Sequence, residues 1–199
     1  MATLSRMQAA IDRPDTPTRR RFDVDAYYHM AEAGILSPKD RVELIDGDVV
    51  EMAPITSMQS GTTIRLTTLV AHAAADGHVL LSVRHPLRLD RYNEPQPELM
   101  LLRPRADFYE SSHPTAADVL LLIEVADSSL AYDRGPKLAL YARHGVPEVW
   151  IVDLRGRAIE VCRQPEPQGY VERQSGFRGN IIPVLVQTLR IDRSTLLGA

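Results

Sequence analysis

The chain has 199 residues, of which 44% are hydrophobic and 25% charged, and its formal net charge is −3. These values predict one ordinary soluble domain, and the lack of an apolar run of about 18 residues argues against a membrane span. A single cysteine, Cys162, excludes an internal disulfide and favours a reducing cytoplasm. Proteins that coat phosphate backbones are normally basic, so any nucleic-acid surface here must be a local patch.

The N-terminal third predicts a tail, a helix and a hairpin. Residues 1–20 are rich in Pro, Thr and Arg without hydrophobic periodicity, so we expect a flexible tail, with the folded domain over residues 21–199. This stretch also lacks the apolar core of a secretory signal. Asp23 can cap a helix over VDAYYHMAEA, and RVELIDGDVVEM predicts a hairpin with Glu43 in its first strand.

The middle of the chain predicts a second helix and a buried sheet. The helix is expected from Ser57 to about Ala75, and strands should follow at HVLLSV, PLRL and ELMLL. Glu98 stands at the first position of ELMLL. The segment VLLLIEV is apolar at almost every position except Glu124, which predicts a central strand buried on both faces.

The C-terminal part predicts another helix and more strands. The helix should run from about Tyr132 to His144, with Gly145 as its stop, and EVWIVD, AIEVC and YVERQ should be strands. The end, IIPVLVQTLRIDRSTLL, predicts a short strand and a final helical turn. Because helices and strands interleave, we expect an α/β fold with a mixed central sheet flanked by helices.

Three acids and a lysine form a candidate metal-dependent nuclease site: Glu43, Glu98, Glu124 and Lys137. Carboxylates beside apolar strands are costly to bury, so each of them needs a partner. A divalent cation can serve several carboxylates at once, because Mg²⁺ prefers hard oxygen ligands. A nearby lysine adds positive charge, and this combination suits phosphodiester cleavage.

Three of these four residues also have an ordinary explanation. Glu43 could be an exposed strand residue, and Glu98 follows Pro97 at a loop where an exposed acid is common. Lys137 could form a helical salt bridge with Asp133, four residues earlier.

Other residue types allow less specific inferences. Tyr141 could face the site one turn beyond Lys137, or lie in the core. The six histidines lack metal-ligand spacing, and serine-hydrolase and P-loop motifs are absent from the sequence. Five arginines could form a basic patch or be scattered and solvated: Arg84, Arg88, Arg91, Arg103 and Arg105.

The ordered segments ELIDG, EPQPEL, LLLIEV, YDRGPKLALYA and GVPEVWIVD resemble the Uma2 family, a bacterial group assigned as endonucleases, from about Arg21 onward. That family is placed in the PD-(D/E)xK superfamily, so the resemblance implies a restriction-endonuclease-like fold. It implies that Glu98 and Glu124 bind Mg²⁺ or Mn²⁺, that Glu43 assists, and that Lys137 stabilises charge.

Two positions depart from the family pattern. Glu98 stands where an Asp is usual, and Gln59 stands where a His is common at the start of the second helix. Glu can still bind Mg²⁺, but its extra methylene displaces the carboxylate. Gln can hydrogen-bond water or phosphate but cannot shuttle a proton near neutral pH. Catalytic competence is therefore the open question.

The sequence leads to the hypothesis of a cytoplasmic, Mg²⁺- or Mn²⁺-dependent DNA endonuclease. The candidate substrate contacts are Gln59, Arg84, Arg88 and Tyr141. The rival hypothesis is a catalytically inactive nucleic-acid or protein interaction module on the same fold, which Glu98 and the acidic net charge favour. A third is a hydrolase of small phosphoesters. A homodimer is an analogy only, because a duplex offers two strands to cut.

Overall fold

The structure is a computed structural model that describes residues 19–176 and 179–197. Most of the tail expected over residues 1–20 therefore lies outside the described residues. The helices are α1 (Val24–Glu32), α2 (Ser57–Ala74), α3 (a helical run of Leu130–Tyr132, Asp133–Lys137 and Leu138–Arg143) and α4 (Arg193–Leu197). The strands are β1 (Val42–Ile45), β2 (Asp48–Glu51), β3 (Leu80–Val83), β4 (Leu99–Leu102), β5 (Val119–Ala126), β6 (Glu148–Asp153), β7 (Ala158–Glu166), β8 (Gly169–Gln174), β9 (Asn180–Ile181) and β10 (Ile191–Asp192).

The predicted mixed sheet is confirmed. Six strands are hydrogen-bonded in the order β3-β4-β5-β6-β7-β8, with β5 and β6 parallel and the other neighbours antiparallel. Every residue of β5 is buried, as its apolar sequence predicts for a central strand. Because side chains alternate along a strand, Glu124 shares a face of the sheet with Leu122 and Ala126.

Helices pack on both faces of this sheet. Leu66 and Val70 of α2 pack on the face that carries Leu121 and Ile123. Leu138 and Tyr141 of α3 belong to the cluster on the opposite face. Glu124 therefore points toward α3, and its neighbours on that face are otherwise apolar. No helix among the described residues is both long and apolar enough to cross a membrane.

The β1–β2 hairpin carries Glu43 to the sheet. Its turn has the expected primed geometry, with positive φ angles of 51° at Asp46 and 79° at Gly47. The Glu94 amide donates a hydrogen bond of 2.8 Å to the Leu44 carbonyl, which ties the loop before β4 to β1. This contact brings the hairpin and the approach to Glu98 together.

Two predictions about elements need correction. PLRL is not a strand, because its amides bond to scattered loop carbonyls: Leu87 to Pro95, Arg88 to Pro114 and Leu89 to Asn93. The helix expected from Tyr132 begins earlier, at Leu130, and its segment Asp133–Lys137 is wound as a π turn.

Proline explains the wide turn of α3. Pro136 lies inside it and has no amide hydrogen to donate to the carbonyl four residues earlier. The Leu138 amide instead reaches back five residues to the Asp133 carbonyl. Such π turns are common at functional sites, and this one carries Lys137 into the sheet face beside Glu124.

Candidate active site

The structure brings the four candidate residues into one cluster between the hairpin, the sheet and α3. Glu43 lies in β1, Glu98 directly precedes β4, Glu124 lies inside β5 and Lys137 closes the π turn of α3. Glu43, Glu124 and Lys137 are each only 1% exposed. Residues separated by more than 90 positions in the chain therefore meet in a buried polar group, as the sequence hypothesis requires.

Lys137 is the centre of this cluster. Its Nζ lies 2.9 Å from Glu124 Oε1 and 3.3 Å from Glu43 Oε2. The predicted alternative, a helical salt bridge to Asp133, is not the arrangement found, because the Asp133 carboxylate accepts a 2.6 Å hydrogen bond from Ser129 Oγ. A buried ammonium needs such carboxylate partners, and both come from elsewhere in the fold.

Glu124 is held at its oxygen Oε1 by two donors. Besides the Lys137 ammonium, the Tyr141 hydroxyl donates a hydrogen bond of 2.6 Å to this oxygen. Burial alone would raise the pKa of Glu124, but Lys137 and the hydrogen bonds hold it below its ordinary value. Glu124 is therefore a carboxylate at neutral pH, although it is surrounded by protein.

Glu43 is held less completely. Its Oε1 accepts a 2.8 Å hydrogen bond from the Gln96 amide, whereas its buried Oε2 accepts none, although Lys137 is near. Burial raises the pKa of Glu43, and the charge of Glu124 acts in the same direction, while Lys137 opposes both. An oxygen of this kind marks a site whose polar groups are not all satisfied by the protein.

Glu98 occupies the more open side of the cluster. Its Oε1 accepts a 2.7 Å hydrogen bond from Gln59 Nε2, and the same nitrogen lies 3.1 Å from the Val125 carbonyl. Glu98 and Glu124 line the same small cavity. Burial and the charge of Glu124 raise the pKa of Glu98 well above its ordinary value. Two carboxyl groups that face one small cavity favour a proton or a cation between them.

A fourth acid, Asp133, belongs to the same group. It lines a small cavity of about 20 Å³ together with Glu98, Glu124 and Gln59, and a space of that size holds about one water molecule. Burial, helped by the charge of Glu124, raises the pKa of Asp133 to about 7. Sequence reasoning assigned Asp133 to a salt bridge, although its position four residues before Lys137 did place both on one helix face.

The chain matches the profile of the Uma2 family, described as "Putative restriction endonuclease", over residues 24–194. The chain belongs to the Uma2 family. Its fold is similar to a crystal structure titled as a putative nuclease belonging to DUF820 from Anabaena variabilis ATCC 29413. The TM-score is 0.67 at 12% identity, over 88% of this chain and 97% of that one. No curated protein matches the chain.

Because the chain belongs to the Uma2 family and has a nuclease-like fold, the residues of the Lys137 cluster can be tested for their fit to a divalent ion. Among the described residues, no group of three or more His, Cys, Asp or Glu side chains is arranged to hold a metal. Glu98 and Glu124 nevertheless provide a pair of hard oxygen donors around one small cavity. Such a pair fits Mg²⁺ or Mn²⁺, since Mg²⁺ usually keeps several waters and takes few protein ligands.

The charges of this Uma2 cluster also favour a bound divalent ion. The cluster has four carboxyl groups and one ammonium: Glu43 and Glu124 pair with Lys137, and Glu98 and Asp133 join Glu124 around the small cavity. Of the four, only Glu124 has a lowered pKa; burial raises the others. The raised pKa values favour protons on these carboxyl groups in the absence of a cation, and a divalent ion could replace them.

The candidate substrate contacts lie in three different settings. Gln59 is beside Glu98, and Tyr141 is fully buried on Glu124, so Tyr141 acts as a support for a carboxylate. Arg88 pairs with the buried Glu94. Arg84 lines a cleft of about 480 Å³ that also includes Glu43 and Glu98 in its walls.

The basic patch considered from the sequence is mostly neutralised in this Uma2 chain. Arg91 pairs with Asp23 at 2.9 Å, and Arg105 pairs with Asp107 at 2.5 Å. Arg103 donates a 3.1 Å hydrogen bond to the Ala117 carbonyl. Within the described ranges, Arg84 is the arginine with buried N–H groups that lack a partner.

Proposed function

We propose that the protein is a Mg²⁺- or Mn²⁺-dependent DNA endonuclease that hydrolyses phosphodiester bonds at the Glu98–Glu124 pair. The observation that carries this proposal is that Glu98 and Glu124 line one small cavity, with Glu124 paired to Lys137 and Glu98 also in the wall of a cleft. Membership of the Uma2 family and the nuclease-like fold support a nuclease role. A cytoplasmic location and a homodimer remain predictions from the sequence.

Each residue has a distinct role in the proposed reaction. A bound divalent ion would lower the pKa of a coordinated water and neutralise charge on the phosphate. Glu98 and Glu124 would hold and orient that ion, and Glu43 would accept a proton or orient a water through Oε2, which accepts no hydrogen bond from the described residues. Lys137 keeps Glu124 ionised and stabilises negative charge that develops beside it.

Plasmid nicking tests the proposal. Supercoiled plasmid would be incubated with the protein in Mg²⁺, in Mn²⁺ or in EDTA, together with the variants Glu124→Gln and Lys137→Met. We expect nicking by the wild-type protein in either metal, none in EDTA, and none by either variant. The matched control is Glu148→Gln, which removes a buried carboxylate on another part of the same sheet. Nicking that survives in Glu124→Gln would overturn the proposal.

One observation favours the rival, a nucleic-acid-binding module without activity. Glu98 already accepts a hydrogen bond from Gln59 and has a raised pKa, so a cation must displace a proton to bind there. Under this rival, the wild-type protein binds DNA without cutting it. The variant Glu98→Asp shortens the side chain and should then switch cutting on, whereas the endonuclease proposal requires wild-type cutting.

A further inference from the structure

Arg84 has a free hydrogen-bonding edge in a place where a buried arginine normally has partners. Its Nε and Nη2 atoms are buried and have no hydrogen-bond partner among the described residues. These two nitrogens form the side of the guanidinium group that binds two oxygens in parallel. Arg163 donates from the same two nitrogens to one carboxylate oxygen, Glu148 Oε1, at 3.1 and 2.9 Å. The corresponding edge of Arg84 is therefore a built but unused site for an oxyanion.

The backbone holds Arg84 in an uncommon conformation beside the candidate active site. Its φ angle is +54°, in the left-handed region that arginine seldom adopts. Its amide donates a 3.2 Å hydrogen bond to the carbonyl of Glu98, the candidate metal ligand. Strain of this kind persists where the surrounding structure fixes it, and it clusters at ligand sites. The position of Arg84 is thus fixed relative to Glu98.

Two cavities adjoin Arg84, and their chemistry differs. A pocket of about 270 Å³ presents threonines of α2, but the Thr63 and Thr67 hydroxyls donate their protons to helix carbonyls. Such hydroxyls offer lone pairs, which do not attract a phosphate. The other cavity is the 480 Å³ cleft with Glu43 and Glu98, where an anion needs a cation to offset the acids. The unpaired Nε–H and Nη2–H edge of Arg84 is therefore better suited to bind an anion in the cleft than in the threonine-lined pocket.

We propose that Arg84 binds a backbone phosphate of the nucleic-acid strand in this cleft, through its Nε–H and Nη2–H edge. Both nitrogens are covered in the free protein, so a rotation of the side chain into the cleft accompanies binding. The gain is large because two donors that lack partners in the free protein acquire them in the complex. This inference rests on the proposed function, since it assigns the cleft to a nucleic-acid strand.

The test measures DNA binding separately from cutting. A fluorescein-labelled duplex of about 20 base pairs would be titrated by fluorescence anisotropy in Ca²⁺, between about 50 and 200 mM salt, the range over which phosphate contacts change affinity most. For Arg84→Gln we expect binding about tenfold weaker, with a salt slope shallower by about one unit. Arg84→Lys should recover part of the affinity, because it keeps the charge without the two-pronged edge.

The matched control is Arg173→Gln, which makes the same charge change on β8. That strand is the far edge of the sheet from β3, which ends next to Arg84. Glu160, the partner of Arg173, keeps a second arginine at 2.8 Å. We expect the DNA affinity of Arg173→Gln to remain within about twofold of the wild type, which equals about 0.4 kcal/mol.

Stability separates a binding role from a structural one. Removing an arginine with two unsatisfied buried N–H groups should leave the melting temperature unchanged or higher. Arg84→Gly, which tolerates the positive φ, should melt higher still and bind as weakly as Arg84→Gln. Lower melting temperatures with unchanged DNA affinity would overturn the assignment, and so would a wild-type protein that does not bind the duplex.

The two proposals can fail independently. If the wild-type protein nicks plasmid and Arg84→Gln binds the duplex equally well, the role of Arg84 is wrong and the nuclease proposal stands. If the wild-type protein binds the duplex through Arg84 but never nicks in Mg²⁺ or Mn²⁺, the phosphate site stands and the nuclease proposal is wrong.

Discussion

Two buried acidic clusters lie on the same sheet, and they differ in how fully their charges are satisfied. Glu148 in β6 accepts hydrogen bonds from Trp150 Nε1 at 2.7 Å, Arg163 Nη2 at 2.9 Å and the Val184 amide at 2.7 Å. The Lys137 cluster, by contrast, has four carboxyl groups and one ammonium, one of its carboxylate oxygens accepts no hydrogen bond, and a small cavity remains.

The contrast shows that burial of an acid does not by itself indicate function. Glu148 is 0% exposed and Glu124 is 1% exposed, so exposure cannot separate them. Glu148 anchors the chain around Val184 to the sheet with one arginine and two N–H donors, which is a structural task. The Lys137 cluster instead has more carboxyl groups than positively charged groups, so a cation can complete it, and this surplus of carboxyl groups identifies the candidate active site.

The largest expected effect is on cleavage. Glu124→Gln should lower Mg²⁺-dependent nicking by about a thousandfold or more, because it removes a charged metal ligand. Glu148→Gln should nick at close to the wild-type rate at temperatures where it is folded. Plasmid nicking rates, normalised to the folded fraction by circular dichroism, compare the two. Equal losses in both variants would show that the clusters do not differ in the way described.

Removing the positively charged side chain should lower stability more in the Lys137 cluster than around Glu148. Lys137→Met leaves Glu43 and Glu124 buried without their ammonium, and we expect a loss of about 3–5 kcal/mol in the free energy of unfolding. Arg163→Met should cost less, about 1–3 kcal/mol, because Glu148 keeps two N–H donors. Urea unfolding near pH 7 measures both. A larger loss in Arg163→Met would reverse the comparison.

The pH dependence of stability should also come from the Lys137 cluster. The folded pKa of Asp133 is about 7, above its ordinary value of 3.8, so the folded protein keeps a proton that the unfolded chain releases. Stability from this group is therefore complete below about pH 4 and falls until about pH 7, by up to about 4 kcal/mol.

Asp133→Asn should flatten this decline, whereas Glu148→Gln should not change it. Urea unfolding at pH 5, 6, 7 and 8 without divalent ions measures the slope. Adding Mg²⁺ at pH 8 should restore stability to the wild type if a cation replaces the protons. An unchanged slope in Asp133→Asn would show that Asp133 ionises in the ordinary range.

The smallest expected effect concerns single hydrogen bonds. Tyr141→Phe removes the 2.6 Å bond to Glu124 and should cost about 1–2 kcal/mol, because its acceptor is charged. It should also lower nicking only modestly, since Lys137 still holds Glu124. Thermal unfolding and nicking rates test this, and a loss of activity as large as that of Glu124→Gln would make Tyr141 a participant in the reaction.

The sequence predicted most of the fold because the signals were local. The Asp46–Gly47 turn, the apolar run of β5 and the Asp23 cap each depend on a few adjacent residues. PLRL failed because its composition is that of a strand, whereas its hydrogen-bond partners are carbonyls of separate loops. Local composition does not specify which distant groups a backbone amide meets.

The sequence predicted which residues belong to the site better than it predicted the contacts between them. Glu124 was recognisable as an acid within an apolar strand, but Glu148, at the start of another apolar strand, carries a similar sequence signal. Their difference depends on Arg163 and Val184, which only the folded chain brings to Glu148. The role of Asp133 was missed for the same reason, since its neighbours Glu98 and Glu124 come from separate strands.

The π turn of α3 has a consequence for how this helix can change over evolution. The wide turn adds about one residue to a winding that otherwise advances about 100° per residue. Because the wide turn absorbs this extra residue, deleting one residue from Asp133–Lys137 would leave a regular helix whose turns before and after it keep their faces. A one-residue deletion in α3 is therefore least disruptive in this stretch, provided that it removes Pro136, which the interior of a regular helix disfavours.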